Sequence, residues 1–166
     1  MTLKLDVFDI ARTRKTVGGV IALGDMPELA RSVLALRGEG ISFRVTGIGE
    51  IEDLPAAELE IHGTAVMSCA RCSEPVEVPV DSVLKFRFTQ TEAQADAIPV
   101  EKDGEDVDVI VGSKSLSAAA WVQEEALLTL PAMPLHESCV NKFGPKPEEE
   151  DGKSNPFSVL ASLRKH

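Results

Sequence analysis

The sequence contains no tyrosine and few other aromatic residues, with one tryptophan and six phenylalanines among 166 residues. It also lacks any run of the roughly 18 to 20 apolar residues that a membrane-spanning helix requires. The first residues, Met-Thr-Leu-Lys-Leu-Asp, do not contain the apolar stretch of a secretory signal peptide. We therefore expect a cytoplasmic protein that does not interact with a membrane.

Motifs for catalysis are equally scarce. The sequence has no glycine-rich phosphate loop, no Gly-x-Ser-x-Gly turn and no His-Glu-x-x-His motif. His62 is predicted at a strand end, and Gly18 and Gly19 indicate a turn. The pair Glu124 and Glu125 is typical of a solvated helix face. We expect neither enzyme activity nor a small-molecule substrate.

The charge is strongly one-sided. Twenty-seven acidic residues against seventeen basic ones give a formal net charge of −10. Such a balance opposes extensive binding to a phosphate backbone and favours basic protein partners, with at most a local contact to RNA.

Alternating apolar and polar residues in the middle of the chain predict half-buried β-strands. The apolar positions are Ile41, Phe43 and Val45; Leu59, Ile61, Ala65 and Met67; Val76, Val78 and Val80; and Leu84, Phe86 and Phe88. Because the connections are too short for crossover helices, we expect antiparallel pairing. Pro79 indicates an edge strand or a bulge. The predicted fold class is α+β, with a curved antiparallel β-meander or partial barrel.

Two or three helices are expected to flank this sheet. A capping pattern that begins at Asp25 predicts a short helix over residues 25–38. Ser115 or Ser117 caps another helix to about Leu130, with an apolar face made of Trp121, Leu127 and Leu128. Short strands are expected at residues 20–23 and 107–111, with an acidic loop over residues 89–106.

The chain divides into one domain and a tail. Residues 1–142 are long enough to form a single α+β core, whereas residues 143–155 are mostly Gly, Pro, Lys and acidic residues, as in a flexible linker. Residues 156–166 predict a short amphipathic helix, whose apolar face would be formed by Phe157, Leu160 and Leu163. This face can bind a partner or fold back on its own domain.

Three cysteines in a chain without an export signal argue against a disulfide framework. Cys69 and Cys72 form a Cys-x-x-Cys pair between two predicted strands. His136 and Cys139 repeat that spacing after the helix that contains Trp121. Together these residues provide the Cys3His set of a structural zinc site. The alternatives are free thiols on a stabilised turn, or thioredoxin-like redox chemistry.

Basic residues are spread over several predicted strands and could align on one sheet face: Arg12, Arg14, Lys15, Arg44, Arg71, Lys85 and Arg87. Because Phe86 and Phe88 point to the opposite face from Lys85, no aromatic residue is placed for base stacking. A solvated sheet face is therefore favoured over an RNA-binding strip.

Four segments in succession resemble one protein family. They are Cys69-Ala70-Arg71-Cys72, the acidic loop after Phe86 to Phe88, the stretch from Leu128 to His136 followed by Cys139, and the terminal stretch from Asn155 to Leu163. Their order and spacing resemble the large ribosomal RNA subunit accumulation protein family, YceD, over nearly the whole chain. The resemblance implies a non-enzymatic role in ribosome biogenesis, associated with accumulation of 23S ribosomal RNA. The chain departs from the fuller two-plus-two cysteine pattern, since His136 precedes a single late cysteine.

We therefore expect this acidic domain to support large-subunit assembly by binding a basic ribosomal protein or an assembly intermediate. The expected contact residues are Arg71 in the cysteine turn and Phe157, Leu160 and Leu163 in the tail. Two alternatives remain at this point: a structural-zinc protein that binds ribosomal RNA directly, and a thiol-redox factor that acts on translation components.

Overall fold

A computed structural model describes residues 3–98 and 107–139. In chain order the elements are β1 (Lys4–Leu5), α1 (Val7–Thr13), β2 (Thr16–Ile21), a 3-10 turn (Leu23–Asp25), α2 (Pro27–Ser32), β3 (Ala35–Leu36), β4 (Ile41–Ile51), β5 (Leu54–Ser68), β6 (Pro75–Thr89), α3 (Glu92–Asp96), β7 (Val107–Val111), β8 (Leu116–Ser117) and α4 (Ala118–Thr129). The predicted linker 143–155 and tail 156–166, with Phe157, Leu160 and Leu163, lie outside the described residues.

The predicted α+β class is confirmed. One sheet has the strand order β2-β4-β5-β6-β7, with β3 also paired to β5, and β1 forms a small separate ribbon with β8. Over the described residues the sheet is not closed into a barrel, since β2 and β7 form its two ends. Among the helices of the same residues, none is long and apolar enough to cross a membrane.

Strand pairing follows the predicted meander from β2 to β6 but not beyond it. The alternating residues form long antiparallel strands, and the predicted strands around Val78 and Phe86 merge into β6. β7 instead pairs with β6 in parallel, so the sheet is mixed and its last strand lies outside the antiparallel meander. The segment between β6 and β7 includes α3, which the sequence pattern did not predict. This segment is long enough to carry the chain back along β6, so that β7 runs in the same direction as β6.

Pro79 lies at a sheet edge, as predicted. It is opposite Thr64 on β5, while β7 pairs only with Lys85–Thr89 of β6. Over the described residues, no strand pairs with the other side of β6 at Pro79. The missing backbone N–H of proline therefore leaves no hydrogen bond between strands unformed there.

The N-terminal segment differs most from expectation. α1 is capped by Asp6, whose carboxylate accepts hydrogen bonds from the backbone N–H groups of Phe8 and Asp9 at 3.1 and 3.0 Å. Gly18 and Gly19 do not form the predicted turn but lie inside β2. A Cβ at Gly18 would lie 2.8 Å from the carbonyl oxygen of Phe43, which explains a glycine in a strand at this position.

The first predicted helix is shorter than expected. α2 ends at Ser32, and the chain then extends into β3. Asp25 does not cap it, because the helix follows Met26 and has no cap from its own side chains. The side-chain oxygen of Gln123 in α4 accepts from the backbone N–H of Glu28 at 2.8 Å. A tertiary contact thus replaces the local cap, and sequence reasoning from nearby residues could not find it.

α4 matches its predicted bounds but not its predicted faces. Trp121 is buried and meets Phe86 edge-on, with ring centroids 5.0 Å apart. Leu128, expected on the apolar face, is 79% exposed. Glu125, expected in solvent, is 5% exposed and accepts a hydrogen bond from the Ser82 hydroxyl at 2.6 Å.

Ser117 caps α4, and this assignment is testable. Its hydroxyl oxygen accepts from the backbone N–H of Ala120 at 3.3 Å. We expect Ser117→Ala to lower the free energy of unfolding by about 1 kcal/mol, because one N–H at the helix start loses its partner. Ser115→Ala is the matched control and should change stability by less than about 0.5 kcal/mol. Equal losses in urea unfolding for the two variants would contradict the assignment.

Candidate metal centre

The first cysteine pair lies at the tip of the hairpin between β5 and β6. The turn is held by backbone hydrogen bonds from Cys69 to Glu74, at 2.9 Å, and from Ser73 to Cys69, at 2.8 Å. Ser73 has φ of 63°, which reverses the chain tightly after the pair. Cys69 is 1% exposed and Cys72 is 5% exposed, so both thiols face the protein interior.

The second pair reaches this hairpin through the segment that follows α4. Pro131 ends the helix, and the carbonyl oxygen of Pro134 accepts from the backbone N–H of Ala70 at 2.8 Å. This bond joins two segments that are far apart in the chain. It places His136 and Cys139 directly over the hairpin tip.

The four side chains of the Cys3His set lie close together. Their ligand atoms all lie within 4.8 Å of one another. The Sγ atoms of Cys69 and Cys139 are 3.7 Å apart, and Cys72 Sγ is 3.4 Å from His136 Nδ1. In a tetrahedral zinc site with Zn–S of about 2.3 Å and Zn–N of about 2.0 Å, neighbouring ligand atoms are about 3.5 to 3.8 Å apart. These two distances therefore fit one tetrahedral ion.

His136 is oriented for this role by a second contact. Its Nε2 lies 3.0 Å from the carbonyl oxygen of Pro75. A carbonyl only accepts, so Nε2 carries the hydrogen and donates it. In the neutral ring, Nδ1 is then the atom with a free lone pair, and it is the atom nearest Cys72. Metal-bound histidines usually have a hydrogen-bond arrangement of this kind.

The cluster also alters the acidity of its members. Burial opposes ionisation of Cys69, but hydrogen bonds from the backbone N–H groups of His136, Arg71 and Cys72 outweigh it and lower the pKa of this thiol to about 5. The contacts of His136 with Cys69 and with the Pro75 carbonyl raise the pKa of its ring. Burial and the two neighbouring cysteine sulfurs raise the pKa of Cys139. The thiolate is the form of cysteine that binds a metal ion, so the lowered pKa of Cys69 favours metal binding.

Other readings of the cysteines fit the geometry less well. A separation of 3.7 Å between Cys69 Sγ and Cys139 Sγ exceeds the roughly 2.05 Å of a disulfide, and all three cysteines are free. Reactive redox thiols are partly exposed and open a helix, whereas Cys69 and Cys72 are buried in a hairpin turn.

Four of the seven basic residues that could form a strip are paired with carboxylates. Arg12 and Lys15 both pair with Asp9, at 2.7 and 2.9 Å. Arg44 pairs with Glu60 at 2.9 Å, and Arg87 pairs with Glu52. Arg71 is half-buried beside the cysteine pair. These pairings favour the solvated sheet face over a row of free cations.

A row of Ser42, His62 and Asp81 crosses three strands and was missed by sequence reasoning, which placed His62 at a strand end. His62 Nδ1 contacts Asp81 Oδ1. The Ser42 hydroxyl, however, donates to the His62 carbonyl oxygen at 3.0 Å and not to its ring. The row lacks the nucleophile-to-base hydrogen bond of a hydrolytic triad.

Comparisons with known proteins agree with the resemblance of the sequence. A family model described as Large ribosomal RNA subunit accumulation protein YceD matches residues 57–164, which include Cys69, Cys72, His136 and Cys139. One curated relative, the Large ribosomal RNA subunit accumulation protein YceD of Haemophilus influenzae, is 26% identical and aligns over 99% of this chain and 96% of its own length. No solved structure matches the chain significantly.

Proposed function

This chain belongs to the YceD family of large ribosomal RNA subunit accumulation proteins, and from that premise we propose that it supports 23S ribosomal RNA accumulation and large-subunit assembly in the cytoplasm as a non-catalytic binding protein. The observation that carries the proposal is the family match over residues 57–164. The family description names accumulation of an RNA and no reaction.

Zinc is the metal that we propose for the Cys3His group. Three sulfurs and one imidazole nitrogen form a soft donor set, which suits zinc and leaves no open position for a substrate. The metal would join the β5–β6 hairpin tip to the segment after α4. Its role is then structural, because it would fix the surface around Arg71 that a partner meets.

The partner that we propose is a basic ribosomal protein or an assembly intermediate that contains one. A net charge of −10 attracts such a partner from a distance and makes the association salt-sensitive. Arg71 beside the metal group is one proposed contact residue. The tail supplies the others, Phe157, Leu160 and Leu163.

Sedimentation of cell lysates in low and high salt tests this proposal. We expect the full-length protein to travel with large-subunit particles in low salt and to be released in high salt, because opposite charges are screened within about 10 Å at 0.1 M salt. Naked 23S RNA fragments should bind weakly at physiological salt. Tight binding to those fragments would instead support direct RNA recognition, and absence from all ribosomal fractions would contradict a role in assembly.

A further inference from the structure

A cavity of about 1030 Å³ lies between the sheet and α4, on a different part of the domain from the cysteine group. β6 and β7 form one wall, and α3 and α4 contribute the others. Ligand sites for small molecules span about 300 to 1,000 Å³, so this space is large enough for several residues of a peptide. Neither the metal group nor the family description assigns it a role.

The cavity wall is strongly acidic. Within the described part of the chain, its lining includes one guanidinium, that of Arg87, against five carboxylates: Glu52, Asp96, Asp108, Glu124 and Glu125. Phe86 and Trp121 provide an apolar floor, and Leu128 is an exposed apolar residue of the wall. The space therefore combines apolar contacts with a negative field.

The two requirements together select one class of ligand. A polyamine brings positive charge but no apolar side chain for the floor of Phe86 and Trp121, and a nucleic acid brings phosphates that the carboxylates repel. A peptide that carries lysine or arginine beside apolar side chains matches both the negative field and the apolar floor. We propose that this cavity binds a basic peptide segment of the large-subunit protein partner, an inference that rests on the proposed function.

Trp121 makes the proposal measurable, because it is the only tryptophan of the chain. Full-length protein is titrated with a nine-residue probe peptide that carries three lysines among leucines and glycines, and Trp121 fluorescence is recorded. Asp108→Asn with Glu124→Gln should weaken binding at least about tenfold. Asp25→Asn with Glu39→Gln removes the same charge at exposed positions outside the cavity lining and should weaken it less than about twofold.

Four outcomes overturn the proposal. The first is that the two double variants bind the lysine peptide equally. The second is that a glutamate version of the peptide binds as well as the lysine version. Spermidine displaces the peptide at similar concentration, which would favour a polyamine. Deletion of residues 156–166 raises peptide affinity at least about tenfold, which would make the chain's own tail the resident occupant.

Lysate sedimentation with the same variants separates this inference from the proposed function. We expect the cavity variant to leave the large-subunit particles while the control variant stays with them. If both variants stay with the particles, the function stands and the cavity is not the partner site. If the wild-type protein itself does not travel with them, the proposed function fails.

Discussion

Cys72→Ser is expected to lower zinc affinity at least about 100-fold, because loss of a direct ligand should cost more than the 10- to 100-fold that loss of an outer contact costs. The wild-type protein should carry one zinc per chain and show no titratable thiol until the metal is chelated. Metal content by mass spectrometry and thiol titration measure both quantities.

The structural consequence of that substitution should remain local. The core lies among the sheet, α1 and α4, away from the hairpin tip, so the sheet should stay folded. The backbone N–H of Ala70, which donates to Pro134, should lose its protection from hydrogen exchange. Ser68→Ala is the matched control, since the Ser68 hydroxyl donates to Ser73 in the same turn without being a ligand. Stoichiometric zinc in Cys72→Ser, or zinc loss in Ser68→Ala, would contradict the assignment.

Zinc affinity should also fall steeply on acidification. The raised pKa values of Cys139 and His136 mean that protons bind these groups more strongly than usual and compete with the metal. Each displaced proton changes the affinity about tenfold per pH unit, so one or two protons give about a 10²- to 10⁴-fold loss between about pH 7.5 and 5.5. Cys69, with a pKa of about 5, should contribute little above that pH.

Competition with a chelator of known affinity at several pH values measures this slope. Cys139→Ala should reduce the slope by about one proton, since the group with the raised thiol pKa is gone. An affinity for zinc that does not change over this range would contradict the ligand set.

Local patterns in the sequence predicted the strands and α4 well, for physical reasons. Alternation reflects a sheet with one buried face, and it gave the cores of β4, β5 and β6. The serine cap and Pro131 similarly bounded α4, because both act through neighbouring backbone groups. The Cys69–Cys72 pair and the His136–Cys139 pair were visible from their spacing alone.

Features that depend on tertiary contacts could not be predicted in this way. Burial of Glu125 requires Ser82 on β6, and the start of α2 requires Gln123 from α4. The parallel β7 depends on where the chain returns after α3. The approach of His136 and Cys139 to Cys69 and Cys72 depends on the Ala70 to Pro134 bond, which no local pattern signals. The tail residues Phe157, Leu160 and Leu163 lie outside the described residues and stay a prediction.

The most direct test of a role in large-subunit ribosomal RNA accumulation is the ratio of 23S to 16S ribosomal RNA in cells depleted of this protein. We expect depletion to lower the ratio, and we expect the wild-type gene to restore it while a gene carrying Cys72→Ser restores it poorly. An unchanged ratio after full depletion would contradict a role in large-subunit ribosomal RNA accumulation.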